Sequence, residues 1–168
     1  MRKTIFIIII LAMTSSTFAC DCVGESTVEE SVKSADIVAV GTVISKSLVT
    51  LTDSEEIKLF HPDTLLYKTF PYSMTIVQYK VVIEQVFKGK KSSDTIIVYT
   101  GVGHGDCGYN FVIGDKYIIY GQKETYIGHD FNKFNFPKGE DIYWTDICKR
   151  TTLFSDIELN EIKRVTTK

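Results

Sequence analysis

The central part of the chain alternates apolar and polar positions, whereas short stretches near either end repeat them every three or four residues. The first spacing belongs to strands and the second to helices. Ser26-Thr27-Val28-Glu29 is a capping-box pattern, and Val28, Val32 and Ala35 at helical spacing predict a short helix over an apolar surface. Asp36 to Ser45 (DIVAVGTVIS) reads as a β-branched strand with a bulge or bend at Gly41. Residues 47 to 73 form a polar and aromatic insertion holding Pro62 and Pro71, read as an extended hairpin loop. Thr75 to Lys88 is a long strand with Val77, Tyr79, Val81 and Ile83 on one face, and its phase changes near Glu84 and Gln85, as a bulge requires.

After a turn at Gly89, Asp94 to Thr100 is a third strand, followed by a glycine-rich loop from Gly101 to Gly108. Tyr109 to Phe111 and Lys116 to Gly121 add strand material around an Ile113-Gly114-Asp115 turn. Residues 122 to 140 are largely polar and hold Phe131, Phe134 and Phe136, and Asp141 to Cys148 ends the β region. Ser155-Asp156-Ile157-Glu158 is a second capping box, opening a helix with Phe154, Ile157, Ile162 and Val165 on one stripe. Five or so twisted antiparallel strands with two peripheral helices predict a small closed barrel.

The first nineteen residues stand apart. Arg2 and Lys3 precede nine apolar residues, Ile5 to Met13, and Thr17-Phe18-Ala19 offers small side chains where a signal peptidase reads. Nine residues rise only about 14 Å as a helix, half of a hydrocarbon core, so this stretch predicts a cleaved signal peptide over 1–19 and no membrane span. The exported part, 20–168, is expected to be a single domain in an extracellular or periplasmic space. A cysteine at the cleavage point also opens a lipoprotein alternative with Cys20 acylated, although Thr17 and bulky Phe18 fit a lipobox poorly.

Composition narrows the partners. With 44% apolar and 12% aromatic residues the chain can bury a core, which removes the disordered class. The 19 Lys and Arg against 21 Asp and Glu give a net charge of −2, without the footprint a nucleic-acid backbone demands. No nucleic-acid partner is expected, and a monomer is the simplest assembly.

All four cysteines, Cys20, Cys22, Cys107 and Cys148, follow the targeting segment, and export implies an oxidising compartment where pairs persist. Four cysteines allow three connectivities. A bond between Cys20 and Cys22 would close a small strained ring, which leaves two long-range patterns open. Either ties the N-terminal end of the domain to two distant segments, each closure stabilising by up to about 4 to 5 kcal/mol in the chain-entropy model. Such a double tether serves a small domain as a staple, or holds the terminal amine in position for binding.

Other constellations carry less. Gly101-Val102-Gly103-His104-Gly105 is followed by neither a helix start nor a Lys-Ser or Lys-Thr pair, so it reads as a turn and not a phosphate loop. His61, His104 and His129 are isolated on expected loops, and no catalytic dyad or intrinsic metal site is assigned. The three phenylalanines read as core packing ahead of base stacking, and a Cys-x-Cys redox couple is set aside because both cysteines have distant partners within the chain. The chain is not expected to be an enzyme.

An ordered set of residues resembles the inhibitory domain of the tissue inhibitors of metalloproteinases. It comprises Cys20-x-Cys22, a short helix, Ala35-Asp36-Ile37-Val38 opening a strand, Val86-Phe87-Lys88-Gly89 ending a long one, Tyr99-Thr100, Cys107-Gly108-Tyr109 and Cys148. Netrin-like modules share that barrel. The resemblance implies an OB-fold-like five-stranded antiparallel β-barrel with peripheral helices, disulfides Cys20 with Cys107 and Cys22 with Cys148, and a zinc metalloprotease as partner. The family's third cysteine pair has no counterpart here. The ligands to the protease's zinc would be the amine and carbonyl of Cys20, with no cofactor of the chain's own. The contact ridge would be Asp21, Cys22, Val23 and Gly24, joined by Gly103, His104, Gly105 and Asp106. Asp21 falls where the family places the side chain that enters the protease's specificity pocket, and a carboxylate suits a basic or wet pocket better than an apolar one. The alternative is a netrin-like binding or structural module, secreted or lipid-anchored, without inhibitory activity.

Overall fold

The computed structural model describes residues 20, 22, 24, 26–61, 66–103, 105–125 and 134–167, with the backbone alone for 53–61 and 66–72. The expected signal peptide, together with Asp21, Val23, His104, His129 and Phe131, lies outside the described residues. The elements run α1 (Val28–Ser34), β1 (Ile37–His61), β2 (Leu66–Lys88), β3 (Thr95–Thr100), β4 (Lys116–Gly121), β5 (Ile142–Trp144), β6 (Thr152–Leu153) and α2 (Asp156–Thr166).

The fold is mainly β. Its strands form one six-stranded sheet in the order β5-β3-β2-β1-β4-β6, antiparallel throughout except where β5 runs parallel to β3. This corrects the expectation of five wholly antiparallel strands. The added complexity comes from β5 and β6, three and two residues long, too short for an alternation to register in sequence. The ladders do not close the sheet. Across the gap a single antiparallel bridge joins Gln122, just past β4, to Trp144 of β5 by bonds of 2.8 and 2.7 Å.

Apolar runs in β1 and β4 are buried on both faces. Ile37, Ala39 and Val43 of β1 and Tyr117 and Ile119 of β4 enter one core with Val77, Tyr79, Val81 and Ile83 of β2. The alternate residues Val38, Val40, Ile118 and Tyr120 meet Val28 and Val32 of α1 and Ile162 of α2. A third cluster gathers Ile76, Tyr99 and Trp144, with Phe136 packed against it. Two-sided burial is why these strands read as continuous hydrophobic runs. The expected phase change on β2 coincides with register shifts between Val38 and Ala39 and between Val40 and Gly41. Gly41 is needed there, since a Cβ would come within 2.6 Å of the Val82 carbonyl oxygen.

Four local expectations change, the first being Tyr109 to Phe111, which is irregular and not strand. The insertion at 47–73, expected as an extended hairpin loop, is strand over 47–61 and 66–73, where β1 and β2 pair as far as His61 with Leu66 and form a long two-stranded ribbon. The first capping box sits one residue later than expected, with Thr27 as N-cap and Glu30 closing the reciprocal bond. The second does not form. Ser155 makes no side-chain cap bond, Glu158 is engaged elsewhere, and Ile157 is 78% exposed and off the buried stripe.

Candidate functional site

The residues that chemistry singled out converge at one end of the sheet. Strand β3 ends at Thr100 and leads into the glycine-rich loop, and β5, parallel to it, ends at Trp144 and leads into a tight turn at residues 146–149. Parallel neighbours finish at the same end of a sheet, so both following loops lie side by side. The Ile147 N–H donates to the Cys107 carbonyl oxygen at 3.0 Å and locks them together.

Two disulfides join the start of the domain to this pair of loops. Cys20 bonds Cys107 and Cys22 bonds Cys148, with Cα separations of 5.5 and 5.3 Å, the pairing the resemblance implies. A third anchor follows at Ser26, whose carbonyl oxygen accepts from Arg150 Nη1 at 2.8 Å. Cys20, Cys22 and Ser26 are thus each held to a distant part of the chain, the first two covalently.

Each loop is built around a carboxylate. Asp106 accepts from the N–H groups of Val102 and Gly103, both at 2.7 Å, and of Gly108 at 3.1 Å. Short acidic side chains satisfy nearby backbone donors in this way and so stabilise loops over regular structure. The structure therefore gives Asp106, expected on the contact ridge, the work of shaping the loop. Gly108 allows the fold-back, since a Cβ there would lie 2.1 Å from the Gly101 carbonyl oxygen. Gly108→Ala is expected to destabilise by about 1 to 3 kcal/mol and to distort the Cys107 anchor, measured as a lower denaturation midpoint.

In the second loop Asp146, 3% exposed, accepts from the Cys148 N–H at 2.7 Å. Burial pushes its carboxyl above the ordinary value, against the lowering from that hydrogen bond and from the charge of Lys149. Behind the clamp, Arg150 holds Glu158 with two bonds of 2.6 and 2.8 Å, and the Tyr120 hydroxyl donates to the same carboxylate at 2.7 Å. Burial pushes Glu158 up, but the bonds from Arg150 and Tyr120 and the guanidinium charge outweigh it and leave the carboxyl below its usual value.

Of the ridge residues expected from sequence, Cys20, Cys22, Gly24, Gly103, Gly105 and Asp106 are described. The disulfide brings the loop of the last three beside Cys20. Asp21, Val23 and His104 lie outside the described residues. Sequence reasoning missed Asp146, Arg150 and Glu158. An aspartate two residues before a cysteine carries the same local signal as Asp106, whereas nothing local marks Arg150. Val102 and Ile147 leave apolar side chains about half exposed beside the clamp.

At the opposite end of β3 and β5 a cleft of about 520 Å³ opens between Asp36, Lys91, Asp141 and Tyr143. The Lys123 ammonium spans it, donating to the carbonyls of Gly139, Glu140 and Ile142, and lies 3.9 Å from the centroid of the Tyr143 ring. It pins the turn before β5. Among the described residues no group of three or more His, Cys, Asp or Glu is placed to hold a metal ion. No protein-family model and no curated protein matches the chain.

Proposed function

We propose that the chain is an exported inhibitor of zinc metalloproteases that acts through the amine and carbonyl of Cys20. The observation that carries this reading is the double disulfide on residues 20 and 22, with both partner loops tied to each other. A catalytic zinc keeps one position open for water, and a rigid amine and carbonyl pair can fill it. Because the Cys20 sulfur is bonded to Cys107, only its backbone atoms remain for that purpose. Holding them in place beforehand lowers the ordering cost of binding. The disulfides also suit an oxidising compartment, which supports export. With this function goes an OB-type barrel, and the Gln122–Trp144 bridge supports closure at that seam.

The test uses mature protein beginning at Cys20 against a panel of zinc endopeptidases. Acetylating the terminal amine is expected to cut inhibition about 100-fold or more, since an amide nitrogen no longer offers its lone pair to zinc. Inhibition by the unmodified protein is also expected to weaken below the ordinary amine pKa of about 7.7 to 8.0, where a proton competes with the metal. Unchanged inhibition after acetylation refutes the mechanism. Asp21 favours a second reading, a netrin-like module that binds without inhibiting, because its carboxylate suits few apolar specificity pockets. Full absence of inhibition by protein with a free Cys20 amine supports that alternative.

A further inference from the structure

The ribbon made by β1 and β2 outruns its neighbours. Strand β4 pairs with β1 only over Ile37 to Thr42, and the last bonds on that side are Val43 N–H to Asp115 and Gly114 N–H to the Val43 carbonyl. Strand β3 pairs with β2 only over Val77 to Val82. Beyond these points both outer edges are vacant among the described residues. A two-stranded ribbon is marginal in water, and a vacant edge is a template for another strand.

The two edges are unequal. Along β2, Pro71 removes a backbone donor, whereas β1 from Ser45 to His61 holds neither proline nor glycine. The direction of the β1 groups follows from the ladder. The Ile83 N–H donates to Asp94, on the β3 side, so odd-numbered residues of β2 face β3 and even-numbered ones face β1. The β1 partners of the even set are Ser45, Ser47, Val49 and Leu51. Hence the N–H and C=O groups of Lys46, Leu48 and Thr50 point outward, with no strand against them among the described residues.

The vacant window has natural limits. It opens at the register shift between Val43 and Ser45, where β4 begins, and closes at the shift between Thr52 and Glu56. Within it Leu48 is 67% exposed, and Lys46, Thr50 and Thr52, which alternate with it along the strand, are exposed on the same side.

We infer that β1 pairs antiparallel with the same segment of a second copy of this chain, with Leu48 on the twofold axis. This register sets Leu48 against its own copy and Lys46 against Thr50, so no like charges face each other. It supplies about six backbone hydrogen bonds and covers the exposed leucine. Isologous pairing of one patch with itself is the usual route to a homodimer. A contact this small falls at the low end of specific interfaces, below about 1,200 Å², the class of weak and transient contacts. This assembly departs from the monomer expected from sequence.

Sedimentation velocity over a concentration series up to about 100 µM tests it, with parent, Leu48→Lys and Thr50→Pro. The lysine puts two ammonium groups on the axis. The proline removes an outward N–H and spares every β1–β2 bond. The parent is expected to shift from monomer to dimer, and both variants to stay monomeric with unchanged circular dichroism. Amide exchange in the parent gives a check free of substitutions, since the Leu48 and Thr50 N–H groups are expected to gain protection as concentration rises. A parent that stays monomeric at about 100 µM, dimers that persist in both variants, or concentration-independent exchange at Leu48 and Thr50 overturns the inference.

Discussion

Replacing Cys22 and Cys148 together by alanine is expected to lower the free energy of unfolding by about 2 to 5 kcal/mol. The bond closes a loop with a sequence separation of 126 residues, so its loss releases a large part of the denatured chain from restraint. For a domain of this size each kcal/mol corresponds to about 2 to 4 °C in melting temperature. The native state changes as well, because Cys22 then hangs between its two remaining anchors at Cys20 and Ser26. The same variant therefore separates staple from positioning device. If the tether positions the Cys20 amine, inhibition weakens at temperatures where the variant is still fully folded. If it serves only as a staple, inhibition per folded molecule is unchanged. Denaturant titration with an inhibition assay on the same samples distinguishes the two.

The second large effect is expected at the ion pair behind the clamp. Arg150→Ala removes both bonds to Glu158 and the bond to the Ser26 carbonyl, leaving a mostly buried carboxylate with the Tyr120 hydroxyl as its remaining donor among the described residues. Breaking a buried pair from one side costs about 3 to 5 kcal/mol, and the partial exposure of Arg150 reduces this to about 2 to 3. The pH dependence has a definite sign. Glu158 is held below its ordinary value in the folded state, so its contribution is full above the unfolded value near 4.5 and is lost as pH falls through the folded one. Asp146 acts oppositely. Its folded value is raised, so it favours the fold below its unfolded value near 3.8, and that advantage disappears as pH rises through the folded value. Glu158→Gln is thus expected to flatten the acid loss of stability, and Asp146→Asn to steepen it. Urea midpoints measured between about pH 3 and 7 check both directions.

These effects explain how the second capping box misled a local reading. Glu158 has the type and spacing to close a box with Ser155, but in the fold it faces Arg150 and Tyr120. A charged bidentate partner and a hydroxyl outcompete one backbone N–H that water can satisfy at an exposed helix end. Ile157 fails the expected stripe for the same reason, since the face of α2 that docks is chosen by Ile162 and by the ion pair. At α1 the competition was between neighbours. Ser26 and Thr27 both suit an N-cap, and the Ser26 hydroxyl is taken by Ser31 while Thr27 pairs with Glu30.

What the sequence determined by itself was whatever burial alone writes along a chain. The apolar face of β2 from Val77 to Ile83, the two-sided runs of β1 and β4, the bulge at Gly41 and the short helix after Ser26 all follow from local spacing and side-chain shape. Four cysteines in the part following the targeting segment likewise narrowed the tether to two patterns. The tertiary structure alone decided which residues meet across the chain. It set Cys20 beside Cys107 and Cys22 beside Cys148, drew Asp106 inward onto three backbone donors, placed Arg150 between Ser26 and Glu158, and continued β1 past its neighbours into a ribbon with a vacant edge. Periodicity records whether a residue is buried, which depends on its own transfer free energy. The identity of its partner depends on how distant segments are laid side by side, and no local pattern carries that.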